Sequence, residues 1–375
     1  MEESTKILIV GMSSEKGGIE EYLIQFVRNV DKNKYKIDFL TFTPLCAYEE
    51  ELLLHGCRVF HARRRGEDPL GSYSDRLKFF KTNADVYDFV WLHLTSASDI
   101  STIRLAKKHT KAKIACHSHG SDFESRGGLT RKVHSFLHKK NQKKLVENTD
   151  IYLACSKKAG QWLYGDIGDR LTLVPNGIKV SDFAFNLEKR IATRSRLRLE
   201  EGQVALGHVG RLAEVKNHKF LLGVFAAFRS KQPNSTLLLV GEGPLEEELK
   251  DECKFLGLES EVRFLGYRED VADLIQAFDV FVLPSFSEGF PITLVEAQAC
   301  GLPCVVADNI TQEVDITGLV SFVSLENSAE RWAELIEERL AGDRASSEYI
   351  TKLQNAGYTD EAATRIILKI FGGEI

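Results

Sequence analysis

The sequence predicts an α/β protein built on two doubly wound parallel sheets. Three observations carry that prediction. Short apolar runs of strand length alternate with helical stretches, the alternation runs through twice, and 375 residues are long for one such domain but comfortable for two of about 180 each. The composition, 43% hydrophobic and 27% charged, is that of an ordinary globular protein.

The elements follow in chain order. "KILIV" (6–10) is apolar and β-branched, the pattern of a parallel strand covered on both faces. A loop containing "GMSSEKGG" leads into a helical pattern from Ile19 to Val30. "KIDFLTF", "CRVFHA", "YDFVWLHL", "KIACHSH" and "IYLACS" then punctuate helical stretches at intervals that suit βαβ units, and "LTLVPNGI" (171–178) closes the first half. A charged helix, "LEKRIATRSRLRL", bridges to a second series: "VALGHVG", "STLLLVGEG", "VRFLG", "VFVLPS", "PCVVAD" and "VSFVS". A last amphipathic helix, Asp360 to Phe371, is expected to pack back on the first domain. The domains are therefore expected at 1–178 plus 358–375 and at 179–357.

Composition also excludes. No apolar run approaches the roughly 18 residues of a membrane span, and Met1 is followed by acidic residues in place of a signal peptide, so a cytoplasmic location is expected. Seven cysteines, with no CxxC pair and with Cys300 and Cys304 lacking a partner pair, read as reduced core thiols. The net charge of −5 divides unevenly, the first half being the basic one, with "RRR" (63–65), "KKHTKAK" (107–113) and "HKKNQKK" (138–144). Such runs are either solvated faces or the means of attraction to an anionic surface or substrate.

Ligands of doubly wound sheets bind beyond the carboxyl ends of the strands, so candidate residues are sought there. "GGIEEYL" places Gly17 and Gly18 before a helix, where glycine admits a phosphate to the backbone and the helix N-terminus favours an anion; a simple tight turn explains the pair equally well. "HVGRLAEVKN" (208–217) offers Arg211 and Lys216 from one loop after a strand, a forked and a point cation suited to a diphosphate. "HSHGSD" (117–122) also ends a strand. One of its histidines is expected to point inward and one outward, and His119, at the loop edge beside Gly120, is the one favoured for function. No third ligand stands at a recognisable spacing for zinc and no Asp-x-Asp occurs, so no metal is expected. "SEGFPITLVEAQACGLP" (287–303) follows the strand run "DVFVLPS". Pro291 suits the first turn of a helix and Gly301 its end, which puts Glu288 in the loop and Glu296 inside the helix. Glu296 has Ile292, Leu294, Val295, Ala297 and Ala299 for neighbours, and an unpaired buried carboxylate costs several kcal/mol, so it is expected to hold a ligand or a fixed partner.

Taken together, "GG" near the start, "HSHGSD", "VPNGI", "GRLAEVKN", "LLLVGEGP", "VRFLGY" and "PSFSEGFPITLVEAQACGLPCVVAD" resemble the ordered signature of the retaining family 4 glycosyltransferases of the GT-B fold. The resemblance covers nearly the whole chain and implies two Rossmann-like domains facing across a cleft, the first on the acceptor side and the second binding the nucleotide-sugar donor. Glu288 and Glu296 match that family's paired glutamates, which implies that Glu288 contacts the donor sugar's hydroxyls and Glu296 the nucleotide ribose. Backbone amides around Gly289, Phe290, Pro291, Ile292 and Thr293 would bind sugar and phosphate, with proline itself donating nothing. Arg211 and Lys216 match the diphosphate-binding pair, His119 the histidine at the donor sugar, and Tyr267 falls where the family holds the base. The resemblance further implies that the departing phosphate acts as base on the same face, with no protein nucleophile.

Eight helical residues span at most about 12 Å, which suits opposite ends of a sugar nucleotide better than the carboxyl pair of a glycosidase. The expected activity is transfer of a hexose or N-acetylhexosamine from a nucleoside diphosphate sugar to an acceptor hydroxyl, in bacterial surface polysaccharide synthesis. The alternatives are a non-catalytic nucleotide-sugar-binding subunit and a sugar-nucleotide epimerase on the same fold. The expected partners are the nucleotide-sugar donor, a lipid-linked or other glycan acceptor and the inner face of an anionic membrane, with no nucleic acid and no cofactor.

Overall fold

The computed structural model describes residues 4–123, 128–340, 344 and 347–372; the expected domain limits at residues 1 and 375 lie outside them. The chain divides into two compact units. The first holds the described residues up to Phe123, those of Gly127–Gly177 and those from Thr359 on; the second holds those of Ile178–Tyr358.

The first unit is built on β1 (Thr5–Val10), β2 (Tyr35–Thr41), β3 (Arg58–His61), β4 (Phe89–Leu94), β5 (Lys113–Ser118), β6 (Ile151–Ala154) and β7 (Leu171–Leu173). They pair in parallel in the order β3-β2-β1-β4-β5-β6-β7. The second is built on β8 (Val204–Val209), β9 (Ser235–Val240), β10 (Val262–Phe264), β11 (Val280–Leu283), β12 (Cys304–Ala307) and β13 (Val320–Val323), also parallel, in the order β10-β9-β8-β11-β12-β13. Each of the apolar runs quoted above falls on one of these strands, β1 and β2 starting one residue earlier than their runs. This is the doubly wound arrangement, in which the strand order reverses beside the first strand of each sheet.

Alternation within β1 shows how both faces are covered. Ile7 and Ile9 point into a layer with Leu23 and Val27 of the helix Gly18–Asn29 and with Ile367 and Phe371 of the helix Asp360–Gly372. Leu8 and Val10 point the other way, into a layer with Phe80, Ile103 and Leu105. The helix Asp360–Gly372 is therefore part of the first core, and its Phe371 ring lies 4.5 Å from Phe89. The chain leaves this unit at Gly177 and re-enters at Thr359 side by side, so closely that a Cβ on Gly177 would stand 2.2 Å from the Thr359 carbonyl oxygen. No described helix is long and apolar enough to cross a membrane.

In the second unit, Pro291 caps the helix Ile292–Ala299, and Gly301, at φ +64°, follows its end in the left-handed conformation that glycine adopts without strain.

Candidate functional site

The order of the second sheet reverses between β8 and β11, and the loops that leave these two strands are laced together. Phe286 N donates to the Val215 carbonyl at 2.8 Å, and Asn217 Nδ2 to the Pro284 carbonyl at 3.2 Å. Asn217 sits at φ 56°, ψ 42°, a left-handed corner that asparagine tolerates, between the 3-10 turn Glu214–Lys216 and the helix His218–Lys231. These ties bring Lys216 Nζ to Glu288 Oε1 at 2.7 Å, with only 17% and 12% of the two side chains exposed. An ion pair this enclosed gives up much of its hydration and holds only where its geometry is fixed. Arg211 lies exposed on the same β8 loop, so that loop brings two cations to the end of the sheet where Glu288 stands.

Two histidines lie under this loop. His208 is fully buried, its Nδ1 is 2.9 Å from the Val282 carbonyl, and its ring is 4.6 Å from that of His218. Burial pushes His208 down to about 4 and His218 to about 2, with the neighbouring Lys216 charge acting in the same direction on both. Both rings are neutral, and the ion pair that Lys216 makes among the described residues is the one with Glu288. A Cβ on Gly210 would lie 3.2 Å from both His208 Nε2 and Lys216 Cε, so the small residue lets the lysine stem cross the ring.

The other predicted residues of this unit stand on the helix that follows Glu288 or beyond β10. Glu296 is half-buried in the helix Ile292–Ala299, where Leu294, Val295, Ala297, Gln298 and Ala299 are buried. Gly289, Phe290 and Pro291 form the entry to that helix and Ile292 and Thr293 its first turn, with the Phe290 ring stacked on Tyr358 at 5.3 Å. Tyr267 is 44% exposed beyond β10, the edge strand, and its backbone N donates to Glu242 Oε1 at 3.1 Å.

His119, Gly17 and Gly18 belong to the first unit. The expectation that His117 and His119 point opposite ways is corrected here. Their rings lie 4.2 Å apart, because residues two apart on an extended chain share a face. A third imidazole, which no spacing along the chain marks, stands beside them. His93 on β4 pairs in register with His117 on β5, and its Nδ1 is 2.8 Å from His119 Nε2. The three imidazoles can place ligand nitrogens within 4.8 Å of one another, close enough to hold a metal ion. Spacing along the chain could not show this, since the third ring arrives from a neighbouring strand. Burial holds the His119 imidazole at about 3, and His93 and His117 are held well below the usual value by burial first and by their histidine neighbours second. His119 is therefore a neutral hydrogen-bonding group at ordinary pH, with one ring nitrogen committed to His93.

Gly17 caps the helix Gly18–Asn29 in an extended conformation, φ −127° and ψ −173°. The carboxylate of Glu20 folds back at this end, accepting from Ser13 N at 3.0 Å, so the helix N-terminus already has an anion of its own.

The family model described as "Glycosyl transferases group 1" matches residues 189–358, and the one described as "Glycosyltransferase Family 4" matches residues 16–182. EpsF of Bacillus subtilis (strain 168), whose glycosyltransferase name is itself provisional, is 33% identical over 374 residues, 98% of this chain and 96% of its own. The UDP-Gal:alpha-D-GlcNAc-diphosphoundecaprenol alpha-1,3-galactosyltransferase of Escherichia coli is 29% identical over 231 residues, 59% of this chain and 58% of its own. The crystal structure of Anabaena HepE with UDP-glucose superposes with a TM-score of 0.76 at 21% identity, over 98% of this chain and 99% of that one, a likeness of fold.

Proposed function

The chain belongs to the group 1, family 4 glycosyltransferases of the GT-B fold, and from that premise we propose that it moves a hexose or N-acetylhexosamine from a nucleoside diphosphate sugar to an acceptor hydroxyl with retention of configuration. The observation that carries this reading is the enclosed Lys216–Glu288 pair at the reversal point of the second sheet, with Arg211 on the same loop. Before the donor binds, Glu288 neutralises Lys216. A diphosphate entering the crevice competes for the ammonium, and its release frees Glu288 to accept from a sugar hydroxyl. Lys216 and Arg211 then oppose the charge that grows on the leaving diphosphate as the bond from the anomeric carbon to phosphate breaks. The bond from the acceptor oxygen to that carbon forms on the same face, and the acceptor's proton passes to the departing phosphate. Neutral His119 serves as a hydrogen-bond partner for the sugar, Glu296 as the acceptor for the ribose, and Tyr267 lies toward the base. The HepE complex with UDP-glucose supports starting with uridine donors. The diphosphoundecaprenol-linked acceptor in the name of the Escherichia coli relative supports a lipid-linked acceptor for this chain, reached at an anionic membrane during surface polysaccharide synthesis.

The test is calorimetry with UDP and uridine, followed by transfer assays, all in excess EDTA because the mechanism uses no metal. Lys216→Ala should weaken UDP about tenfold or more while leaving uridine nearly unchanged. Glu288→Gln should lower kcat with little change in UDP affinity, and Glu296→Gln should chiefly weaken the nucleotide. Equal loss of UDP and uridine in Lys216→Ala would overturn the assignment, and activity restored only by added Mg or Mn would overturn the metal-free mechanism.

A further inference from the structure

The first unit has a reversal point of its own, between β1 and β4, and a cavity of about 190 Å³ lies there, lined by Val10 and Gly11 at the end of one strand and Leu92 to Leu94 at the end of the other. Only glycine fits at position 11: its φ is +118°, and a Cβ would stand 2.6 Å from the His93 carbonyl oxygen. Liquid water takes about 30 Å³ per molecule, so the space exceeds what a phosphate group needs.

The polar lining is cationic. Arg76, 3% exposed, donates from Nε to the Ser72 carbonyl at 3.0 Å and from Nη1 to Ser101 Oγ at 2.7 Å and Thr102 Oγ1 at 2.8 Å. Its Nη2 donates to no described residue. Arg65 also lines the cavity, with Nη1 2.5 Å from Asp99 Oδ2, while Arg76 Nη1 is 3.9 Å from that same carboxylate. Two guanidiniums share one carboxylate, which leaves a surplus of one positive charge. The Ser72 hydroxyl lines the same space, is 1% exposed, and has no hydrogen-bond partner. Bridging the helices Pro69–Thr82 and Ser101–His109 accounts for Nε and Nη1 of Arg76. It leaves the Nη2 edge beside the Phe42 ring, whose centroid is 5.5 Å from the guanidinium carbon, and it does not account for the orphaned Ser72 hydroxyl, a cost that native structures rarely carry without a use.

We propose that this cavity is the acceptor subsite and that it takes a phosphate-bearing acceptor, the phosphate held by Arg65 and Arg76 with Ser72 donating its hydroxyl. A guanidinium fork matches phosphate geometry, and Phe42 and Ile103 give the remainder of the acceptor an apolar wall. The proposal rests on the glycosyl-transfer reading above, which makes the first unit the acceptor side.

The experiment is titration calorimetry with inorganic phosphate while UDP saturates the donor site. Wild type is expected to bind phosphate. Arg65→Gln is expected to weaken it about tenfold and Ser72→Ala severalfold, and both variants should keep the UDP-induced rise in Tm as evidence of an intact fold. Absence of phosphate binding in wild type, or equal binding by wild type and both variants, overturns the proposal. Absence of any UDP response in wild type overturns the donor reading instead, and phosphate titrated without UDP still tests the cavity through the same two variants. Displacement of phosphate by decyl phosphate more than by glucose 1-phosphate marks a lipid-linked acceptor, and the reverse marks a soluble sugar phosphate. Displacement by neither overturns the subsite.

Discussion

At the scale of single residues, His208 is the clearest case of burial deciding charge. Its folded pKa is lowered to about 4, against roughly 6.5 for an unfolded histidine. Between those values the unfolded chain binds a proton that the folded chain refuses, so stability rises with pH through this window and is lost as pH falls through it, by about 1.4 kcal/mol per unit for each such group. His208→Gln should therefore flatten the pH dependence of unfolding free energy from pH 6.5 down to about 4 by about one proton. Urea unfolding followed across that range checks it, and an unaltered slope would show that His208 is already charged. The same scale shows where sequence stops informing. His119 was legible because "HSHGSD" is local, whereas His93, its partner at 2.8 Å, was not, because the register of β4 against β5 is written nowhere along the chain. Lys216 and Glu288 were each legible from their loops, but their contact spans 72 residues and needed the fold to close it.

At the scale of elements, the strands were legible because parallel strands covered on both faces appear as short continuous apolar runs between turn residues. The ends of the helix Ile292–Ala299 were legible from Pro291 and Gly301. What fixes that helix in place was not. Gln298 is fully buried: its Nε2 donates to the carbonyls of Leu294 at 2.9 Å and Val314 at 2.8 Å, and its Oε1 accepts from Ile316 N, Thr317 N and Thr317 Oγ1 at 3.0, 3.1 and 2.9 Å. A lone glutamine in an apolar helix carries no pattern, since its partners outside the helix, Val314, Ile316 and Thr317, lie beyond the next strand. Gln298→Leu fits the volume but strands those buried groups, at about 1–3 kcal/mol each before relaxation. The variant should lose about 3 kcal/mol of stability and, because Glu296 sits on the same helix, bind UDP more weakly. Thermal unfolding and calorimetry on one preparation read both effects. A variant as stable as wild type would show that water or a rearranged turn replaces the amide.

At the scale of the whole molecule, the net charge of −5 conceals a basic first half, and the structure sorts its basic runs by what they touch. Arg63 is paired with Asp68 and Asp75, Arg65 with Asp99, Lys107 with Asp150 and Lys111 with Asp85, so those runs are largely neutralised at home. The third run differs. His138 anchors the helix Gly128–Glu147 from its inner face, stacked on Trp162 at 4.1 Å, while Lys139, Lys140, Lys143 and Lys144 stand exposed and make no ion pair among the described residues. Val133 and Phe136 are exposed on the same helix, Phe136 by 65%. Unpaired lysines around an exposed aromatic fit an anionic bilayer, where each lysine near the surface is worth about 1 kcal/mol and the attraction fades within a Debye length. The protein should therefore sediment with phosphatidylserine-containing vesicles at low salt and much less at high salt. Lys139→Glu, Lys140→Glu, Lys143→Glu and Lys144→Glu together should abolish sedimentation while UDP affinity, which the proposed function assigns to residues of the other unit, stays unchanged. Loss of both would mean that the substitutions damage the fold. If wild type ignores acidic vesicles at low salt, the third run is a solvated face like the other two, and the acceptor must come to the enzyme through solution.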